Sequence, residues 1–158
     1  MKKNSENFSF FISPLSSRDG FTLIELLIVL AIIGVLASFL LANLISAKAR
    51  ARDAQRKSDL RQLQAAFELY RSDQGTYPAA PLPACGSQLQ APSGGSVYMQ
   101  KIPCDPLNNG AYTYTQIGGG TGYTLLTCLE NVNDSQKDKA NSAPCTGTSN
   151  WSYTLTNP

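Results

Sequence analysis

Glu25 is the residue whose chemistry most needs a reason. It stands at the start of an apolar run, and from Leu26 to Ala47 there are 22 consecutive residues without a charge. As a helix rising about 1.5 Å per residue, that run is roughly 33 Å long, enough to cross the roughly 30 Å hydrocarbon core of a bilayer. A carboxylate at such a place is costly unless it meets a cation, so it marks a functional site. The run is too long for the apolar part of a cleaved secretory signal, about 7–15 residues, and no small-x-small cleavage site follows it cleanly. The other reactive candidates are Cys85, Cys104, Cys128 and Cys145, all beyond the apolar run. They form no C-x-x-C pair, which argues against zinc, and an even count in a small exported domain reads as two disulfides. Histidine is absent, so the commonest general base and metal ligand is missing and no ordinary catalytic triad can form. The reading is a protein that is not an enzyme and has no cofactor.

Gly20, Phe21, Thr22, Leu23, Ile24 and Glu25, followed by the apolar run, resemble the N-terminal signature of type IV pilins and of the pseudopilins of type II secretion. The resemblance implies cleavage after Gly20 by a prepilin peptidase and N-methylation of the new terminal residue, Phe21. Glu25 then neutralises the Phe21 amine, within one chain or on a neighbouring subunit, because each charge is costly in hydrocarbon unless paired. Glycine at position 20 suits close approach of a protease to an extended backbone. Ahead of it lie Lys2 and Lys3, with Phe8, Phe10, Phe11 and Ile12 making the leader greasier than is usual in the family, and Asp19 where a basic residue is more usual. Many members carry a proline in mid-membrane; the matching position here is Ala42, followed by Asn43, so the helical ladder can stay closed, with Gly34 a softer point.

The elements that must carry these residues follow from periodicity. Beyond the membrane run the helical pattern continues to about Ser72, with Leu60, Leu63, Phe67 and Tyr70 forming one apolar stripe. Asp53–Lys57 and Glu68–Arg71 are spaced to pair on the helix surface. Gly75 and Pro78 end the helix. Between Lys48 and Arg61 stand Lys48, Arg50, Arg52, Arg56, Lys57 and Arg61 against Asp53 and Asp59, a net +4. This reads as a solvated helix face near anionic headgroups rather than a DNA-contacting stripe, and the overall charge of +2 points to no nucleic-acid partner. The positive-inside rule would hold this side in the cytoplasm, but the cysteines and the cleavage signature require export.

Residues 77–95 are rich in Pro, Ala, Ser and Gly and read as a loop. Four strand-like runs follow, at Val97–Ile102, Ala111–Ile117, Tyr123–Leu129 and Trp151–Leu155, with a glycine-rich hairpin connection over 118–122. The fold class is α+β, a long N-terminal helix packed on a small antiparallel sheet of about four strands. The expected divisions are a leader over 1–20, a transmembrane and filament-core helix over 21–45, an amphipathic continuation over 46–76 and a disulfide-stapled globular region over 77–158. Tyr77-Pro78, then Ile102-Pro103-Cys104-Asp105-Pro106, then Tyr112-Thr113-Tyr114 are similar to the globular region of the major pseudopilin. That family often holds calcium in a loop after the last family strand, where Asn131, Asn133, Asp134 and Asp138 stand here. Without a bidentate glutamate or a glycine turn, and with Lys137 and Lys139 intruding, this loop reads as solvated.

The simplest disulfide pairing is Cys85–Cys104 and Cys128–Cys145, closing loops with 18 and 16 intervening residues. The other two connectivities stay open. The expectation is a structural subunit of a type IV pilus-like filament, with a type II secretion pseudopilin as the alternative and a membrane-anchored DNA- or surface-binding module ranked below both. Its implied partners are copies of itself, the prepilin peptidase, an inner-membrane assembly platform with its ATPase, and lipid before assembly. Its implied location is the inner membrane as a single-pass precursor, then a periplasmic or extracellular filament.

Overall fold

The computed structural model describes residues 20–157; the expectations for the leader at Lys2, Lys3, Phe8, Phe10, Phe11, Ile12 and Asp19 lie outside them. The chain divides into two compact units, one ending at Leu40 and the other beginning at Leu41. Helix α1 spans Leu23–Gln74. Its portion in the first unit carries large apolar side chains on every side, the pattern of a helix that is covered all round. No proline interrupts it, and the backbone stays helical through residue 42. Ser38, the polar residue of this portion besides Glu25, gives its hydroxyl to the carbonyls of Gly34 and Val35 at 3.2 and 2.7 Å, so it asks nothing of its surroundings.

In the second unit the helix becomes one-sided. Leu60, Leu63, Ala66, Phe67 and Tyr70 are buried, while Leu69 between them is exposed. The helix ends at Gln74, two residues beyond the expected stop, and Gly75 follows at φ +77 with its N–H on the Arg71 carbonyl at 2.8 Å. That left-handed conformation is the terminating turn glycine permits without a Cβ clash.

Five strands follow rather than four, and they make two sheets. β1 (Leu89–Gln90) and β2 (Val97–Met99) form an antiparallel pair. β1 falls inside the stretch expected to be loop, because two residues carry no readable alternation. β3 (Thr113–Ile117), β4 (Gly122–Leu129) and β5 (Trp151–Thr156) form an antiparallel sheet in that order. The expected first strand stops three residues early and the second starts two late. On β4, Tyr123, Leu125, Thr127 and Leu129 are buried at alternate positions, the signature of a strand with one face on the core. The core joins these residues to the helix stripe and to Tyr77, Leu89, Ile102, Tyr112 and Tyr153. Its centre is aromatic: Phe67 meets Tyr114 and Tyr123 with ring centroids 5.1 and 5.2 Å apart, and Tyr77 meets Tyr123 at 4.7 Å, all edge-to-face.

Both disulfides adopt the simplest pairing. Cys85 joins Cys104 with Cα atoms 5.2 Å apart, and Cys128 joins Cys145 at 5.5 Å. The first ties the proline-rich loop to the segment before Asp105; the second fastens the long β4–β5 excursion to β4. That excursion also covers the outer edge of β5. Asn141 Oδ1 accepts from the Ser152 N–H at 2.8 Å, Asp138 Oδ1 accepts from the Thr154 N–H at 3.1 Å, and the Asp138 N–H donates to the Ser152 carbonyl at 2.9 Å. An edge whose backbone groups are already bonded cannot template pairing with another chain.

Candidate assembly site and the ion-pair clamp

Of the N-terminal candidates, Gly20 and Phe21 lie just ahead of α1 and Glu25 in its first turn. Thr22 caps the helix: its hydroxyl oxygen accepts the Glu25 N–H at 3.3 Å, while Glu25 Oε2 takes the Thr22 N–H at 2.9 Å and the Thr22 hydroxyl at 2.8 Å. This reciprocal capping box has a local signature, Thr-x-x-Glu ahead of an apolar run, that the expectations above do not include. It gives Glu25 a structural duty besides any pairing with a cation, because it turns the carboxylate back toward Phe21. Phe21 is 87 % exposed. From Leu23 to Leu40 every large apolar side chain is between 47 and 81 % exposed. Helix α1 is long and apolar enough to cross a membrane.

In the second unit the basic stretch of α1 is only in part the solvated face expected of it: Lys48, Arg50 and Arg61 are exposed, while Arg52, Arg56 and Lys57 turn toward carboxylates. Arg56 is buried and gathers three carboxylates: Asp53 Oδ1 at 2.8 Å, Asp105 at 2.6 and 3.1 Å through two nitrogens, and Glu130 Oε1 at 2.8 Å. Arg52 grips the same Glu130 in a two-point contact at 2.7 and 2.6 Å. Asp53 completes the clamp by accepting the N–H groups of Glu130 and Asn131 at 2.9 and 2.8 Å, at the point where the chain leaves β4. Every buried charge here has a partner and a hydrogen bond, which buried charge requires.

The electrostatics follow from this geometry. Burial pushes the Asp105 carboxyl up, but Arg56 and the Leu107 N–H outweigh it and hold the group below the usual range. Glu130 is lowered chiefly by its hydrogen bond from Arg52. Asp59 goes the other way: burial raises it, against the Tyr112 hydroxyl that donates to it at 2.7 Å.

Two expected helix-surface pairs are corrected. Asp53 pairs with Arg56, not Lys57, because Lys57 reaches Asp134 at 2.9 Å instead. Glu68 and Arg71 do not touch as a salt bridge; the Tyr77 hydroxyl stands between them, accepting from Arg71 and donating to Glu68, both at 2.9 Å. In each case a group from outside the helix offers a better desolvated partner than the neighbour one turn away. The clamp was missed for the same reason. Its only local trace was an i,i+3 acid–base pair inside a basic run.

Residues 15–41 match the family described as the prokaryotic N-terminal methylation motif, and residues 43–142 match the type II secretion system (T2SS) protein G family. Among curated proteins, the chain is 33 % identical over 118 residues to the type II secretion system core protein G of Escherichia coli K12, covering 70 % of this chain and 80 % of the relative. It is 32 % identical over 115 residues to the protein of the same name from Vibrio cholerae, covering 68 % and 77 %. The Klebsiella pneumoniae protein of that name is 36 % identical over 98 residues, 56 % and 69 % of the two chains. No solved structure matches the chain. An apolar N-terminal helix led by a methylation motif, followed by a disulfide-bonded α+β unit that aligns with core protein G, makes this chain a member of the type II secretion system protein G family.

Proposed function

We propose that the chain is the repeating structural subunit of a secretion pseudopilus, a short periplasmic filament, and that it performs no catalysis itself. The observation that carries this reading is the exposure of every large apolar side chain from Phe21 to Leu40, with Leu44 and Ile45 beyond them. At about 25 cal/mol per Å², leaving that surface in water is prohibitive, so it belongs in lipid or against equivalent helices of other copies. The chain is made as a membrane-anchored precursor, cut after Gly20 by the prepilin peptidase and methylated on Phe21. It then leaves the bilayer with the help of the assembly platform and its ATPase. Residues 21–45 form the filament core and residues 77–158, with the helix over 46–76, its outer surface.

Cleavage creates a cation at Phe21, next to the Thr22 that holds the Glu25 carboxylate. A pair so placed removes a charge penalty from both groups on entry to the apolar core. Two variants separate the carboxylate's duties, since glutamine can serve in a capping box and alanine cannot. Glu25→Gln and Glu25→Ala precursors should both reach the membrane and neither should enter filaments. Normal filaments from Glu25→Gln would overturn the charge-pairing reading. Intact mass of the filament protein should show a chain beginning at Phe21 and one methyl group heavier.

A further inference from the structure

The loop between β4 and β5 is where family resemblance would put a calcium ion, on Asn131, Asn133, Asp134 and Asp138. Calcium takes about 6–8 oxygens at about 2.3–2.6 Å. Here the side-chain oxygens of Asn131, Asp134 and Asp138 are already bonded to groups of the chain. Asp134 accepts Lys57 Nζ on one oxygen and the Gln136 N–H on the other, both at 2.9 Å. Asp138 accepts the N–H of Thr154 at 3.1 Å and its hydroxyl at 2.7 Å, again one on each oxygen. Asn131 Oδ1 accepts the Asn133 N–H at 3.2 Å. The Val132 carbonyl, a sixth oxygen of the same turn, accepts Lys137 Nζ at 2.6 Å, and that ammonium lies 4.2 Å from the centre of the Trp151 ring. Among the described residues no group of three or more acidic, histidine or cysteine side chains could hold a metal.

A divalent cation entering this turn would meet two positive charges already bonded to its oxygens, and the repulsion rises as the site is desolvated. Lys57 and Asp134 are both largely buried, with 18 and 14 % of their side chains exposed. We propose that Lys57 and Lys137 supply from within the chain the positive charge around which this loop folds, so that residues 130–141 are ordered without calcium. Lys57 anchors the loop to the helix, and Lys137 closes its turn onto Val132 and Trp151. A carbonyl and an aromatic face are both ordinary acceptors for an ammonium.

Hydrogen exchange of the full chain in detergent, read by mass spectrometry over residues 130–141, tests this. In millimolar calcium chloride and in EGTA the unmodified protein should exchange at the same rate within about twofold. Lys57→Gln/Lys137→Gln should exchange at least about tenfold faster in this segment, with β4 still protected. A tenfold slowing of the unmodified protein by calcium would overturn the proposal, as would a double variant that exchanges like its parent. The calcium arm needs no variant, so it decides the matter even where a substitution disturbs folding.

Discussion

Two stretches of one helix make opposite demands on their surroundings. From Leu23 to Leu40 no large apolar side chain is less than 47 % exposed, whereas Leu60, Leu63, Phe67 and Tyr70 are 6 % exposed or less. The residue types are similar; the spacing differs. Where apolar positions recur only every three or four residues, one face suffices and the chain's own sheet covers it. Where they run all round, no single neighbour can cover them, and the cover must come from lipid or from other subunits. A substitution in the second stretch should therefore register as a loss of folding stability, and one in the first as a loss of assembly.

The largest effect on thermal unfolding of the full chain in detergent should come from Phe67→Ala. Phe67 is fully buried under two edge-to-face tyrosines, and truncation should cost about 3–5 kcal/mol. Arg56→Ala should follow at about 3 kcal/mol, because it strands Asp53 and Asp105 with little access to water. Removing the excursion's staple with Cys128→Ala/Cys145→Ala should cost about 2–3 kcal/mol, since its loop spans a separation of 17 residues. Ile33→Ala should leave the unfolding midpoint within experimental error while weakening assembly. A midpoint shift as large as that of Phe67→Ala would erase the distinction between the stretches.

Acid provides a graded test of the clamp. Asp105 and Glu130 have folded-state pKa values below their unfolded ones, so their contribution is complete above the ordinary carboxylate range and is lost as pH falls through the lowered values. Asp59, raised by burial, works in the opposite sense and stabilises slightly as it takes up a proton. The expected net result is a midpoint that declines below about pH 4. The decline should be shallower in Asp105→Asn, and an equal slope in both proteins would show that the clamp is not what acid breaks.

The long helix, its stripe, its glycine stop and the aromatic strands were legible because each depends on neighbours within one or two turns of chain. The fold class and family were legible for the same reason. Local pattern could not show that Arg56 meets Asp105 and Glu130, which lie 49 and 74 residues away. Nor could it show Tyr77 parting Glu68 from Arg71, or a two-residue strand inside a proline-rich loop. Such contacts are settled by which polar groups the tertiary fold desolvates together. At the N-terminus the Thr22–Glu25 box is local, and Thr-x-x-Glu ahead of an apolar run is its signature.

The clamp also changes what the basic stretch looks like from outside. On an unfolded chain, Lys48 to Arg61 is a dense block of cation that anionic lipid would attract. Once residues 105, 130 and 134 have arrived, Arg52, Arg56 and Lys57 have each found a carboxylate, and much of that block is electrically silent. Folding thus erases a charge that the newly inserted chain displays, so the membrane and a finished subunit's neighbours meet two different surfaces written in the same residues.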